Sequence, residues 1–121
     1  MINKLTFPRE LRLLTPSDFN HVFTQSFRIG SPVINLVIRE NELNHFRLGF
    51  AIAKKQIKHA HERNRIKRVI RDYFRINQYQ LPNFDMIVMV RTGIIELTNA
   101  EIRAILEKLC LRLSGKQKKT S

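Results

Sequence analysis

The sequence predicts a single α+β domain, one sheet of about four strands packed with three helices in the order α-β-β-(β)-α-β-α. Three observations carry that prediction. Residues 33–40 (VINLVIRE) and 46–53 (FRLGFAIA) have the alternation of strands, and 85–90 (DMIVMV) is a continuous apolar run of strand length, as a central strand requires. Residues 63–75 (RNRIKRVIRDYFR), set at about 100° per residue, gather Ile66, Val69, Ile70, Tyr73 and Phe74 on one helical side. Near the C-terminus, Ile102, Ile105, Leu106, Leu109, Cys110 and Leu113 fall on one stripe of a further helix. At 121 residues the chain is long enough to bury one modest core and too short for two.

In chain order, residues 1–14 form a basic arm, with Lys4, Arg9 and Arg12 around Phe7-Pro8. Thr15-Pro16-Ser17-Asp18 is a helix start. Thr15 caps, Pro16 sits where its missing N–H costs nothing, and Asp18 faces the positive end of the dipole. The short helix that follows carries Phe19, Val22 and Phe23 on one face. Two aromatics four apart serve either as core or as partly covered rings on which unpaired bases stack. Gly30-Ser31-Pro32 breaks the chain. The polar segment 40–45 between two strand-like stretches predicts a hairpin of 33–40 with 46–53. Gly49, Ala51 and Ala53 place small side chains on one face of the second strand, leaving room for close approach to the sheet. Lys54-Lys55 ends that strand, and a basic linker leads into a helix over 62–77. Leu81-Pro82-Asn83 closes the helical region, and Thr92-Gly93 turns the chain after the apolar strand. Thr98 or Asn99 caps the last helix, Gly115 stops it, and 116–121 is a flexible basic tail beyond the domain of 1–115.

The charge is the strongest functional signal. The chain has 22 Lys and Arg against 10 Asp and Glu, a formal charge of +12. Residues 54–75 hold nine cations (54, 55, 58, 63, 65, 67, 68, 71 and 75) against Glu62 and Asp72, a local excess of +7. On the 63–75 helix, Asn64, Lys67, Arg68, Arg71 and Arg75 cluster opposite the apolar stripe. Arg63 lies at their border and Arg65 projects elsewhere, beside Asp72. A merely solvated helical face interleaves acids at i,i+4, whereas here only Asp72 interrupts the cations. A fixed cationic row of this density predicts a polyanion partner, RNA above all. Basic composition alone is shared with histones and ribosomal proteins, so a non-enzymatic ribosomal-type RNA-binding protein is the alternative.

The residues that would cut RNA are missing from the pattern. The ten acids, at 10, 18, 40, 42, 62, 72, 85, 96, 101 and 107, form no cluster motif for Mg²⁺. His59-Ala60-His61-Glu62 lacks the P-C-x-x-C partner of a zinc deaminase, and no phosphate-binding glycine motif occurs. The single Cys110 excludes a disulfide framework and suits a buried thiol in a reducing compartment. No catalytic residue and no metal site is therefore expected in the protein. No apolar run approaches the roughly 18 residues of a membrane span, and the N-terminus has no signal-peptide pattern. A cytoplasmic chain with no membrane contact is expected.

Four segments together are distinctive: FPRELRLLTPSDFNHVF (7–23), RLGFAIAKK (47–55), HERNRIKRVIRDYFR (61–75) and DMIVMVR (85–91). They closely resemble the protein subunit of bacterial ribonuclease P, over nearly the whole chain apart from the tail. The resemblance implies a ribonucleoprotein in which a large RNA, using Mg²⁺, hydrolyses a phosphodiester to release the 5′ leader of precursor tRNA. The partners implied are that catalytic RNA subunit and precursor tRNA, with no obligate protein partner. The resemblance also implies an unusual left-handed crossover through strand 46–53, helix 62–77 and strand 85–91, against the right-handed rule. Carried over by position, Phe19 and Phe23 match the aromatic pair of the family's leader cleft, and Asn64, Lys67, Arg68 and Arg71 match the helix positions facing it. Leu36 stands where some relatives place an aromatic ring, which implies van der Waals cover of a base. Lys54, Lys55, Arg63 and Arg65 match the basic motif contacting the RNA subunit, and Arg9 and Arg12 of the arm join that set.

Overall fold

The computed structural model describes residues 12–13, 15–24, 26–41, 45–77 and 83–120, with side chains described as far as Leu113. Arg9 and most of the basic arm lie outside the described residues. The elements are α1 (Pro16–Phe23), β1 (Phe27–Gly30), β2 (Ile34–Glu40), β3 (Arg47–Ala51), α2 (Ala60–Ile76), β4 (Phe84–Val90), a 3₁₀ segment (Thr92–Glu96) and α3 (Asn99–Thr120).

The four strands form one mixed sheet in the order β1-β2-β4-β3. β1 and β2 are antiparallel neighbours, turning through Ser31, whose hydroxyl accepts the Ile34 N–H at 3.0 Å. β4 runs antiparallel to β2 and parallel to β3. The expected hairpin of 33–40 with 46–53 is therefore not formed, because β4 is inserted between the two strands. The physical reason lies in β4 itself. Phe84, Met86 and Val88 are buried on one side and Ile87 on the other, so this strand gains most at the centre of the sheet. The connection from β3 to β4 is a parallel crossover through α2, at the position the resemblance implied.

Side-chain alternation divides the sheet into two unlike faces. On the first, Leu36, Ile38, Leu48, Met86 and Val88 pack against Ile66, Ile70 and Phe74 of α2 and Ile102, Leu106 and Leu109 of α3. This is the main core, and it uses the helical stripes anticipated above. On the second face a smaller cluster joins Val37 and Ile87 to Val22 and Phe19 of α1 and to Leu13.

Local chemistry fixes the helix starts. At α1 the Asp18 N–H donates to Thr15 Oγ1 at 3.0 Å and the Thr15 N–H donates to Asp18 Oδ2 at 3.2 Å, a reciprocal cap with Pro16 in the first turn. Thr98 and Glu101 repeat the device at α3, at 3.1 and 2.8 Å, so Thr98 is the cap. Gly115 does not end α3, which continues to Thr120. A glycine inside a helix costs only about 1 kcal/mol, and the Lys and Gln residues after it are good helix formers. β3 would be left as a bare edge, but the Leu13 N–H donates to Leu48 O at 2.9 Å and Arg12 pairs with Leu48 as a parallel bridge.

Candidate nucleic-acid interface

Two surfaces carry the residues singled out from the sequence. The first is the exposed side of α2. Burial of Ile66, Val69, Ile70 and Phe74 against the core turns Asn64 and Arg68 outward, with Lys67 and Arg71 half-buried beside them. The side chains of Asn64, Lys67 and Arg68 have no hydrogen-bond or ion-pair partner among the described residues, so their polar groups are left to solvent or a ligand. Arg71 is set differently, its guanidinium 5.7 Å from the centroid of the Phe50 ring on β3.

The second surface is α1 with the edge of β3. Phe19 is half-buried against Leu13, Val37 and Ile87, while Phe23, one turn on, is 41% exposed. The helix is anchored by Val22, its one fully buried side chain, with Phe19 packed beside it and Phe23 left outside. A pocket of about 170 Å³ opens where Phe19, Leu13, Gly49, Phe50, Arg12 and Arg71 converge. The structure thus brings together Phe19, Arg12 and Arg71, which the sequence assigned to two roles. The room left by Gly49 is taken by the protein itself. A Cβ there would lie 2.7 Å from Phe19 Cζ and 3.0 Å from Leu13 Cβ. Phe50 belongs to this constellation and escaped the sequence reading.

Leu36 does not belong to either surface. It is 0% exposed and packed in the main core, on the opposite side of the sheet from α1. It cannot cover a base. Strand parity explains this: Asn35, Val37 and Arg39 share the face toward α1, and the apolar set Ile34, Leu36 and Ile38 turns toward α2 and α3.

Arg63 and Arg65 are engaged inside the protein. Arg63 Nη1 donates to Ile57 O at 2.8 Å and Lys58 O at 3.0 Å, closing the connection into α2. Arg65 donates through Nε to Glu62 Oε1 at 3.1 Å and through Nη1 to Asn99 Oδ1 at 2.8 Å. Its Nη2 reaches Ile95 O at 3.3 Å. These bonds clip α2 to the start of α3. Lys54 and Lys55 are exposed in the turn after β3.

The sequence reading also missed a buried ion pair. Asp85 is 1% exposed and accepts from Arg47 Nε at 2.9 Å, Arg47 Nη2 at 2.6 Å and Asn41 Nδ2 at 2.8 Å. The hydrogen bond to Asp85 raises the Arg47 pKa above its ordinary value despite partial desolvation. A carboxylate at the head of an apolar strand was the available signal. Among the described residues no group of three or more His, Cys, Asp or Glu side chains is placed to hold a metal ion.

A profile of the Ribonuclease P family matches residues 7–114. The chain belongs to the ribonuclease P protein family. The ribonuclease P protein component of Proteus mirabilis is 56% identical over 109 residues, covering 90% of this chain and 92% of that protein. That of Photorhabdus laumondii is 55% identical over the same length. Among solved structures, the Staphylococcus aureus RNase P protein superposes with a TM-score of 0.78 at 28% identity, covering 86% of this chain and 94% of that one. The Thermotoga maritima RNase P protein gives 0.76 at 28% identity, with 84% and 96% covered. Membership in the ribonuclease P protein family places the chain in tRNA processing and implies an RNA partner. No helix among the described residues is long and apolar enough to cross a membrane.

Proposed function

We propose that this ribonuclease P protein binds both the catalytic RNA subunit and the 5′ leader of precursor tRNA, and so promotes endonucleolytic removal of the leader. The observation that carries the reading is the pairing, in one ribonuclease P protein, of a polar and cationic strip on α2, where Asn64, Lys67 and Arg68 have no partner among the described residues, with partly exposed rings on α1. Asn64, Lys67, Arg68 and Arg71, with Phe19 and Phe23, contact the leader. Stacking and charge together hold single-stranded RNA without demanding one sequence. Lys54, Lys55 and the arm bind the RNA subunit, together with whatever donors Arg63 and Arg65 retain beyond their internal bonds. Hydrolysis belongs to the RNA in this reading, as does the Mg²⁺ it uses. The protein offsets phosphate repulsion between two RNAs and lowers the Mg²⁺ needed for assembly.

The decisive measurement incubates 5′-labelled precursor tRNA at low Mg²⁺ with ribonuclease P RNA, with the protein, and with both. Cleavage at the mature 5′ end only in the combined reaction is expected. Cleavage by the protein alone would overturn the division of labour. Within the holoenzyme, Arg68→Ala is expected to weaken leader-bearing substrate by about 1–3 kcal/mol while leaving mature tRNA nearly unchanged. Equal loss for both would remove Arg68 from the leader contact.

A further inference from the structure

We propose that a polar row on the second face of the sheet, Arg39 of β2, Asp85 of β4 and Arg47 of β3, is a positioning device for α1. It sets how Phe19 and Phe23 meet single-stranded RNA, and in this it rests on the leader reading above. The three residues are direct neighbours in register, Arg39 opposite Asp85 and Asp85 opposite Arg47. Strand parity puts them on the same face as Val37, Ile87 and Gly49, beneath α1. That face is otherwise apolar where the helix packs, so three charges in line call for a specific role.

Both ends of α1 are gripped from this row. At the C-terminal end, Arg39 Nη1 donates to His21 O at 3.1 Å, Thr24 O at 2.9 Å and Thr24 Oγ1 at 2.8 Å. It places a cation on carbonyls that carry the negative end of the helix dipole. At the N-terminal end, Arg47 Nη1 lies 4.0 Å from Asp18 Oδ1, on the same carboxylate that caps the helix. Arg47 is itself fixed by the buried Asp85, so the contact to Asp18 extends from a rigid point. The two rings fall between the grips, Phe19 directly after Asp18 and Phe23 directly before Thr24. An eight-residue helix with one fully buried side chain, Val22, and one half-buried ring, Phe19, is held to the sheet by few apolar contacts. Its angle on the sheet is set from the row. Arg39, Arg47 and Asp85 are positioning residues that touch no RNA in this proposal.

The test uses holoenzyme assembled with ribonuclease P RNA and three variants: Arg39→Met, which keeps the apolar stem, Arg39→Lys, and Phe23→Ala as a control for the leader contact. Hydrogen exchange at the amides of α1 is measured beside affinity for precursor and mature tRNA, with KM and kcat read separately. In Arg39→Met, α1 amides are expected to exchange roughly three- to tenfold faster. The KM for leader-bearing substrate rises by a similar factor, and kcat and mature-tRNA affinity stay unchanged. Arg39→Lys restores most of the loss. Unchanged α1 exchange, or equal loss for precursor and mature tRNA, would overturn the proposal. So would faster exchange with leader preference intact while Phe23→Ala loses it. Leader preference untouched by Phe23→Ala removes the leader reading, and the proposal with it, a failure that this control alone identifies. If Arg39→Met does not fold, Asp18→Asn loosens the opposite grip and is read by the same criteria.

Discussion

Asp85 sits in a strand that is otherwise apolar because two arginine nitrogens and an asparagine amide meet its oxygens. Removing the guanidinium leaves a carboxylate buried with only Asn41, and the loss should exceed what one hydrogen bond contributes. Arg47→Met is expected to destabilise the fold by about 2–4 kcal/mol in urea unfolding, while adding Asp85→Leu recovers much of that loss. A double variant no more stable than Arg47→Met would show that the cost lies in packing rather than in the orphaned charge. Cys110 shows burial acting on a neutral group: desolvation lifts its thiol from 9.0 to about 11, and the hydrogen bond with Tyr73 only partly opposes this. Folding therefore favours the protonated thiol. That contribution is complete below about pH 9 and disappears as pH rises through about 11. Stability should decline over that window, and Cys110→Ala should flatten the decline in unfolding titrations. At this scale the sequence was half legible. Asp85 inside the apolar run FDMIVMV was the visible sign of a buried charge, but its partner stands 38 residues earlier and no local pattern names it. The facing of Leu36 was available, since Asn35 and Arg39 mark the other side of its strand.

Among the elements, α1 meets β3 through Phe19, which with Leu13 fills the space over Gly49. A methyl group there would press on Phe19 and on Leu13 near its backbone, at 2.7 and 3.0 Å, so one of the two must move. Gly49→Ala is expected to cost about 1–3 kcal/mol in thermal or urea unfolding and to expose Phe19. A neutral result would mean that α1 shifts freely over the sheet. The helices could be read from the sequence because their signals are local. The stripe of α2 and the Thr-x-x-acid caps of α1 and α3 lie within a few residues of one another. Strand pairing is not local. The short polar link between β2 and β3 suggested a hairpin, yet a strand buried on both faces gains most between two others, and β2 and β3 flank it here. The internal partner of Arg65 was hidden for the same reason, since the Asn99 that holds it is 34 residues away.

For the molecule as a whole, the excess of +12 is unevenly placed, and its effect depends on which cations remain outside. Arg39, Arg47, Arg63 and Arg65 are tied into the fold, so counting every Lys and Arg overstates the charge offered to RNA. Lys67 and Arg68 are not tied in this way. Binding to ribonuclease P RNA or precursor tRNA should weaken linearly in log affinity against log salt. Lys67→Ala and Arg68→Ala should each reduce that slope by about one, wherever the residue meets a phosphate. Arg65→Ala should change the slope less than either and lower the unfolding midpoint instead. A slope change at Arg65 equal to that at Arg68 would show that its remaining donors reach phosphate.

The place of β4 between β2 and β3 has a consequence for how a ribosome makes this protein. The middle of the sheet is translated after both of its flanks, so a nascent chain ending before Phe84 exposes the inner edges of two apolar strands with nothing to join them. Closure waits for residues 84–90, and α3, which covers the same core, follows later still. The basic N-terminal two-thirds therefore leaves the ribosome before its sheet can close, beside ribosomal RNA, a polyanion of the kind its charge predicts as a partner.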